Sequence, residues 1–357
     1  MPTARVNGVS LYYEEAGRGA PLLLIHAFPV GMRMWAPQVA FFARHFRVIS
    51  YDCRGFGRSE APTAPTAYSQ TLSVADAHGL LTQLGAQPAA VCGLSMGGNI
   101  ALNLALAHPE SVRALIPCDT GAGSEDPDGF RARCAEYAEA ARHGMEAFFQ
   151  AALGWAVFAG FAERGAREAA QLREFILAQP PHGIGLTALH ALATRPPIYA
   201  LRERLAALRV PTLVVYGEHD EACVQTSGFM ARTIPGARLW MVPGASHFVN
   251  LDAPEPFNET LLAFLREPGR YPIPLPGRER GEADAELDLR TEVCPYTFLK
   301  SKLALEPLAP GQLLRVVVGN ETSAADVPRS LTGAGHVVLG VEQVGATLWA
   351  ITVRKGT

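Results

Sequence analysis

Residues 88–107, PAAVCGLSMGGNIALNLALA, decide the reading of this chain. An apolar run leads into Gly93-Leu94-Ser95-Met96-Gly97, and a helix-like run follows. Continuous apolar runs of this length fit strands buried on both faces of a parallel sheet. The glycines beside Ser95 let the chain turn sharply from strand into helix, and Gly98 lets that helix approach closely. Such a turn raises the serine hydroxyl at the carboxyl end of the sheet, where open α/β folds bind ligands. The competing reading is a packed turn with an inert serine.

The rest of the chain extends the strand–helix alternation. PLLLIHA (21–27), FRVISYD (46–52), ALIPCDT (114–120), PTLVVYGEHD (211–220) and ARLWMVPG (237–244) read as further buried strands. VSLYYEE (9–15) alternates and reads as an antiparallel edge. The pattern predicts an α/β fold with a doubly wound, mostly parallel sheet. Residues 126–206 contain no good strand and predict a helical lid over the sheet edge. Residues 268–284 lie in a proline- and charge-rich stretch without periodicity, which reads as a linker closing a first domain at 1–267. From 285 to 357 the pattern predicts a small α+β domain of βαβαββ order.

Composition narrows the function. The chain has 357 residues, 48% of them hydrophobic, and a net charge of −3, so it lacks the positive field of a nucleic-acid binder. No apolar run is long enough to span a bilayer, and the N-terminal segment lacks the apolar core of a signal peptide. A soluble cytoplasmic protein without nucleic-acid or membrane partners is the expectation. Cys53, Cys92, Cys118, Cys134, Cys223 and Cys294 form no C-x-x-C pair and no zinc-like cluster, so no metal is expected.

A serine hydroxyl needs a base to become a nucleophile. His247, in a loop just after the last long strand, is placed to reach over the sheet; His26 and His219 compete. Asp220 ends a strand upstream of His247 and can fix its tautomer, with Asp119 as the alternative acid. The order Ser95, Asp220, His247 is the one this architecture requires. The backbone N–H of Met96 and that of Phe28 are the candidate oxyanion donors, since Pro29 has none to give. Phe148, Phe149, Trp155, Phe158 and Phe161 are candidate walls of an acyl pocket, or plain helix packing.

HAFP (26–29), DCRGFGRS (52–59), GLSMGG (93–98), GEHD (217–220) and GASHF (244–248) together resemble the ordered motifs of the α/β-hydrolase family. The likeness is greatest to its lid-bearing carboxylesterase and 3-oxoadipate enol-lactonase-like members. It implies an α/β-hydrolase fold with Ser95 as nucleophile, His247 as base and Asp220 as orienting acid. It further implies a small-molecule acyl substrate and no cofactor. Ala27 stands where relatives usually carry glycine. DCRGFGRS, with Arg54, reads as scaffold.

In LDLRTEVCPYTFLKSKLALE (287–306), Cys294 precedes a proline at a helix start, where the helix dipole favours thiolate. A buried apolar cysteine reads equally well. The segment resembles the TusA/SirA-like sulfur-carrier family, which implies a persulfide on Cys294 and a sulfur-relay protein partner. The family's C-P-x-P is here CPYT, with Thr297 in place of the second proline.

Overall fold

The computed structural model describes residues 2–268, 283, 285–292, 296–345 and 347–356. Cys294 lies outside the described residues, as does the segment read as a linker apart from Pro268 and Ala283. The chain divides into two compact units, Met1–Asn258 and Glu259–Thr357. That division cuts helix Pro254–Arg266. Because a helix is one hydrogen-bonded rod, we propose the domain boundary after it, at 267.

The first unit is built on eight strands: β1 Thr3–Val6, β2 Val9–Ala16, β3 Pro21–Ile25, β4 Arg47–Tyr51, β5 Ala89–Leu94, β6 Val112–Cys118, β7 Leu213–Gly217 and β8 Arg238–Val242. Their order across the sheet is β1-β2-β4-β3-β5-β6-β7-β8. From β4 to β8 all neighbours are parallel, and β1 and β2 add an antiparallel edge. In the centre, Leu23 faces Ile49 on one side and Val91 on the other. Every residue of β5 is buried, as expected for a strand covered on both faces. The four residues of β1 carried no signal in the sequence, being too short for periodicity to register.

Between β6 and β7 the chain is helical. Helix Pro127–Arg142 starts with proline in its first turn, and Asp126 Oδ1 accepts the Gly129 N–H at 3.0 Å as its cap. Helix Met145–Ala152 buries Met145, Phe148, Phe149 and Ala152, one stripe at helical spacing. Helices Ala156–Ala162, Ala166–Leu177, Pro181–Thr187 and Arg202–Ala207 follow.

The second unit carries β9 Ala285–Leu289, β10 Leu313–Val318, β11 Val337–Gly345 and β12 Leu348–Arg354, in the order β11-β12-β10-β9. β9 and β10 are parallel and the other pairs antiparallel. Helices Tyr296–Leu305 and Glu321–Gly333 supply Leu305, Val327 and Leu331 to a core with Leu314, Val316, Ile351 and Val353. Val337, Leu339 and Val341 of β11 are exposed, so the sheet keeps one open face. No single helix among the described residues is long and apolar enough to cross a membrane.

Candidate active site

Ser95 sits between β5 and helix Met96–Ala107 with φ 56° and ψ −109°. L-residues rarely adopt positive φ, and holding one there costs about 1–3 kcal/mol. The surroundings enforce it. A Cβ on Gly93 would lie 2.1 Å from Gly97 O, and one on Gly97 would lie 2.1 Å from Ile25 O. On Gly98 it would meet Thr120 Oγ1 at 1.9 Å. Only glycine lets this helix press against β3 and β6. The Ser95 N–H donates to Cys118 O at 2.8 Å, which pins the turn to the end of β6.

The sheet order brings the other groups alongside. Asp119 follows β6, and its N–H donates to Val215 O of β7 at 2.9 Å. Asp220 follows β7. The loop after β8 carries His247, whose Nδ1–H donates to Asp220 Oδ2 at 2.8 Å. Both side chains are nearly inaccessible, at 4% and 3% exposure, so this polar pair is shielded from water. The bond fixes the tautomer and leaves Nε2 as the acceptor. Neither Ser95 Oγ nor His247 Nε2 has another hydrogen-bond partner among the described residues, and they are not bonded to each other in this geometry. Such bonds commonly tighten only once substrate is bound.

The His247 loop is held by residues that no sequence motif singles out. Asp252 Oδ2 accepts from both Ser246 N and Ser246 Oγ at 2.6 Å. Asn250 Nδ2 donates to Met34 O and to Gln38 Oε1, each at 3.0 Å. Met34 and Gln38 lie far from this loop in sequence, so no local pattern reveals the anchorage.

Electrostatics separates the two carboxyls. Burial works against the Asp220 carboxylate, but the facing His247 and hydrogen bonds from His247, Asp119 and Cys223 outweigh it and hold the carboxyl below its ordinary range. Asp119 moves the other way: burial first, then the Asp220 charge and hydrogen bond, pushes its carboxyl well above the usual range. Its Oδ1 accepts the Gly217 N–H at 2.9 Å. Two adjacent buried carboxyls cannot both ionise cheaply, and Asp119 Oδ2 is a buried oxygen without a hydrogen-bond partner, so Asp119 is the one of the two whose neutral form is favoured. Asp119, the alternative acid by sequence, thus lies behind Asp220 rather than beside the imidazole.

Asp220, Cys223 and His247 offer donor atoms within 4.8 Å of one another, the spacing of a metal site. Their chemistry points elsewhere. Burial pushes the Cys223 thiol up, disfavouring thiolate, and the Nδ1 lone-pair position is taken by the proton shared with Asp220.

The competing histidines are accounted for. His26 Nδ1–H donates to Ala27 O at 2.8 Å and Nε2 accepts the Cys53 N–H at 2.9 Å, so both nitrogens are structural. Burial lowers its pKa and keeps it neutral. His219 is exposed, and its backbone N–H donates to Ala245 O. Arg54 forms a buried pair with Asp76 at 2.5 Å, and Asp52 accepts the N–H groups of Met32 and Arg58, which is scaffold chemistry.

Two backbone N–H groups face no acceptor. Neither Phe28 N nor Met96 N donates a hydrogen bond among the described residues. The contact of Gly97 with Ile25 O and His26 O brings the two segments together. Beyond Phe28 runs a chain of rings: Phe28 on Tyr137 at 5.5 Å, Tyr137 on Trp155 at 4.5 Å, Trp155 near Phe158 at 6.0 Å, and Phe158 on Phe248 at 6.2 Å. Phe148 and Phe161 join it, while Phe149 is buried without a ring contact among the described residues. The apolar wall therefore runs from Phe28 to the neighbour of His247.

Comparison with known proteins supplies the family. Residues 20–254 match the alpha/beta hydrolase fold, and residues 285–355 match sulfurtransferase TusA. The chain is 35% identical over 75% of its length to the "Putative carbamate hydrolase RutD" of Azorhizobium caulinodans, covering 99% of that protein. It superposes on the enol-lactonase from Burkholderia xenovorans LB400 with a TM-score of 0.66 and 32% identity, covering 74% of this chain and 100% of that one. Its C-terminal part is 49% identical over 74 residues to the "Putative sulfur carrier protein" of Archaeoglobus fulgidus, which is 21% of this chain and 84% of that protein. The chain therefore belongs to the α/β-hydrolase family, as an enzyme of the hydrolase class, and carries a C-terminal TusA domain.

Proposed function

We propose that the N-terminal domain is a serine hydrolase that cleaves a carboxylic ester, thioester or lactone through an acyl-enzyme. The observation that carries this reading is the 2.8 Å hydrogen bond between buried His247 and Asp220, which follow the carboxyl ends of β8 and β7 as Ser95 follows that of parallel β5. His247 Nε2 takes the proton as Ser95 Oγ attacks the carbonyl carbon. The N–H groups of Met96 and Phe28 hold the developing oxyanion, the step in which aimed donors contribute most. The tetrahedral intermediate collapses, and His247 returns the proton to the leaving oxygen or sulfur. A water, deprotonated by the same imidazole, then attacks the acyl carbon and frees the acid and Ser95. The helices between β6 and β7 act as a lid whose aromatic rings exclude water from this chemistry. Relatives named as enol-lactonase and carbamate hydrolase support an acyl substrate of small size.

The test is a fluorophosphonate probe followed by a panel of aryl ester, thioester and lactone. One equivalent of probe adds to Ser95, and Ser95→Ala abolishes both labelling and turnover. Undiminished turnover by that variant refutes the mechanism.

The TusA match favours a second reading, in which Cys294 delivers sulfur to a protein partner and the hydrolase domain serves as scaffold. Mass spectrometry of the full chain after a sulfur donor separates the two: an unmodified Cys294 counts against sulfur delivery.

A further inference from the structure

Asp252 closes the loop that carries His247, and its side chain is 0% exposed. Its Oδ2 is engaged by the N–H and the hydroxyl of Ser246, the residue before His247. The cation that faces its other oxygen comes from the helical segment between β6 and β7. Arg164 Nη1 stands 2.9 Å from Asp252 Oδ1, and Arg164 Nη2 donates to the Asp252 backbone O at 3.1 Å. A carboxylate withdrawn from water needs such a partner. The guanidinium itself is 40% exposed, so water competes for it and its hold can open.

Arg164 follows helix Ala156–Ala162, and that helix packs on the same loop. A Cβ on Gly160 would lie 2.9 Å from Ser246 Cβ, so the two backbones approach closely. The rings of Phe158 and Phe161 lie 6.2 and 5.5 Å from that of Phe248, the residue after His247. The other side of the loop is tied to the segment leaving β3. Asn250 donates to Met34 O, and Met34 Sδ accepts the Ala27 N–H at 3.2 Å, one residue before the candidate oxyanion donor Phe28. The His247 loop is therefore clasped between the helical segment and the oxyanion side.

We propose that Arg164 is a positioning residue: its two-point hold on Asp252 draws helix Ala156–Ala162 onto the His247 loop, so that closure over a bound acyl substrate and placement of the imidazole for proton transfer are one event. This rests on the serine-hydrolase reading. Arg164 also balances charge. The Asp252 carboxylate is felt as far as Asp119, where it adds to the upward shift. The ionisable groups packed around the imidazole are Asp220 on Nδ1, Asp119 and Cys223 behind Asp220, Glu218 on the Gly244 N–H, and Asp252 with Arg164. An Asp252 left without its cation favours imidazolium, the form that cannot act as base; an Arg164 left without its anion favours the neutral ring. Substitutions at the two positions thus push the acid limb of the pH profile in opposite directions, which loss of packing does not do.

The experiment follows the second-order rate of fluorophosphonate labelling at Ser95, and kcat and KM for p-nitrophenyl acetate and butyrate, against pH on the full chain. Arg164→Gln lowers the labelling rate and the kcat of both esters by about tenfold, with KM changed by less than about threefold, as for a misplaced catalytic group. Its acid limb moves up by about 0.5 pH unit, a shift limited by the exposure of the guanidinium. Asp252→Asn moves the limb down. The double variant returns it toward wild type and loses no more rate than the worse single variant, since both act through one contact. Arg164→Lys restores the limb but only part of the rate, because a point charge cannot grip carboxylate and carbonyl together. Several results overturn the proposal: a wild-type labelling rate in Arg164→Gln, an unmoved limb with only the melting temperature lowered, or additive losses in the double variant. A loss confined to KM for the butyrate also overturns it and makes Arg164 a pocket wall. If Arg164→Gln fails to fold, a partial rate in Arg164→Lys and a downward limb in Asp252→Asn support the proposal, and the absence of either overturns it. Absence of any labelling at Ser95 in the wild type refutes the hydrolase reading instead, which keeps the two failures distinct.

Discussion

Asp119→Asn tests the proton held behind the relay. Asn occupies the same volume and tolerates the positive φ of 44° seen at this position. Its amide oxygen accepts the Gly217 N–H and its amide nitrogen donates to Asp220, so it reproduces both bonds of a protonated carboxyl. The raised pKa means that the folded wild type keeps a proton the unfolded chain releases above about pH 4. In that window the unfolded state binds fewer protons, so wild-type stability falls as pH rises, until the folded-state pKa is passed. Asn removes the ionisable group and the slope with it. The stability gap in favour of Asp119→Asn should therefore widen by about 1.4 kcal/mol per pH unit above about pH 4, near 2.7 kcal/mol over two units. Urea unfolding of both proteins at a series of pH values, followed by tryptophan fluorescence, measures it. The C-terminal domain contributes equally to both and cancels. A gap that stays flat or narrows with rising pH would mean that Asp119 is ionised in the fold, and the assignment of the shared proton would be wrong. Asp119→Leu offers the contrast: it removes the same titration but also leaves the Gly217 N–H without its acceptor, so at any one pH it should lie about 1–3 kcal/mol below Asp119→Asn.

The acid–base pair and the turn give further expectations. Asp220→Asn should lower kcat by about 10⁴ with little change in stability, because the amide favours the wrong imidazole tautomer; a loss smaller than about tenfold in steady-state kinetics argues against the relay. Gly97→Ala drives a Cβ to 2.1 Å from Ile25 O, a backbone atom that cannot swing aside. It should destabilise the fold by about 1–3 kcal/mol and depress kcat, and an unchanged melting temperature would contradict the close approach. Cys294→Ser should abolish the gain of one sulfur atom that mass spectrometry registers on the wild type after polysulfide treatment; retention of that mass in the variant places the chemistry on another thiol.

The sequence by itself settled the architecture. The unbroken apolar runs at 21–25 and 89–94 cannot be satisfied on a half-exposed sheet, so they dictated central parallel strands. The glycines around Ser95 dictated the turn, because nothing larger fits between that helix and its neighbours. Chain order then singled out Ser95, Asp220 and His247. What the tertiary structure alone decided is which groups stand side by side across strands. Sheet order set Asp119 behind Asp220 and burial gave it a proton, whereas sequence could only rank it as the alternative acid. His26 was eliminated by two hydrogen bonds to backbone, neither of which has a sequence signature. Desolvation and the pairing of charges depend on residues distant along the chain, and only the folded sheet brings them within a few ångströms.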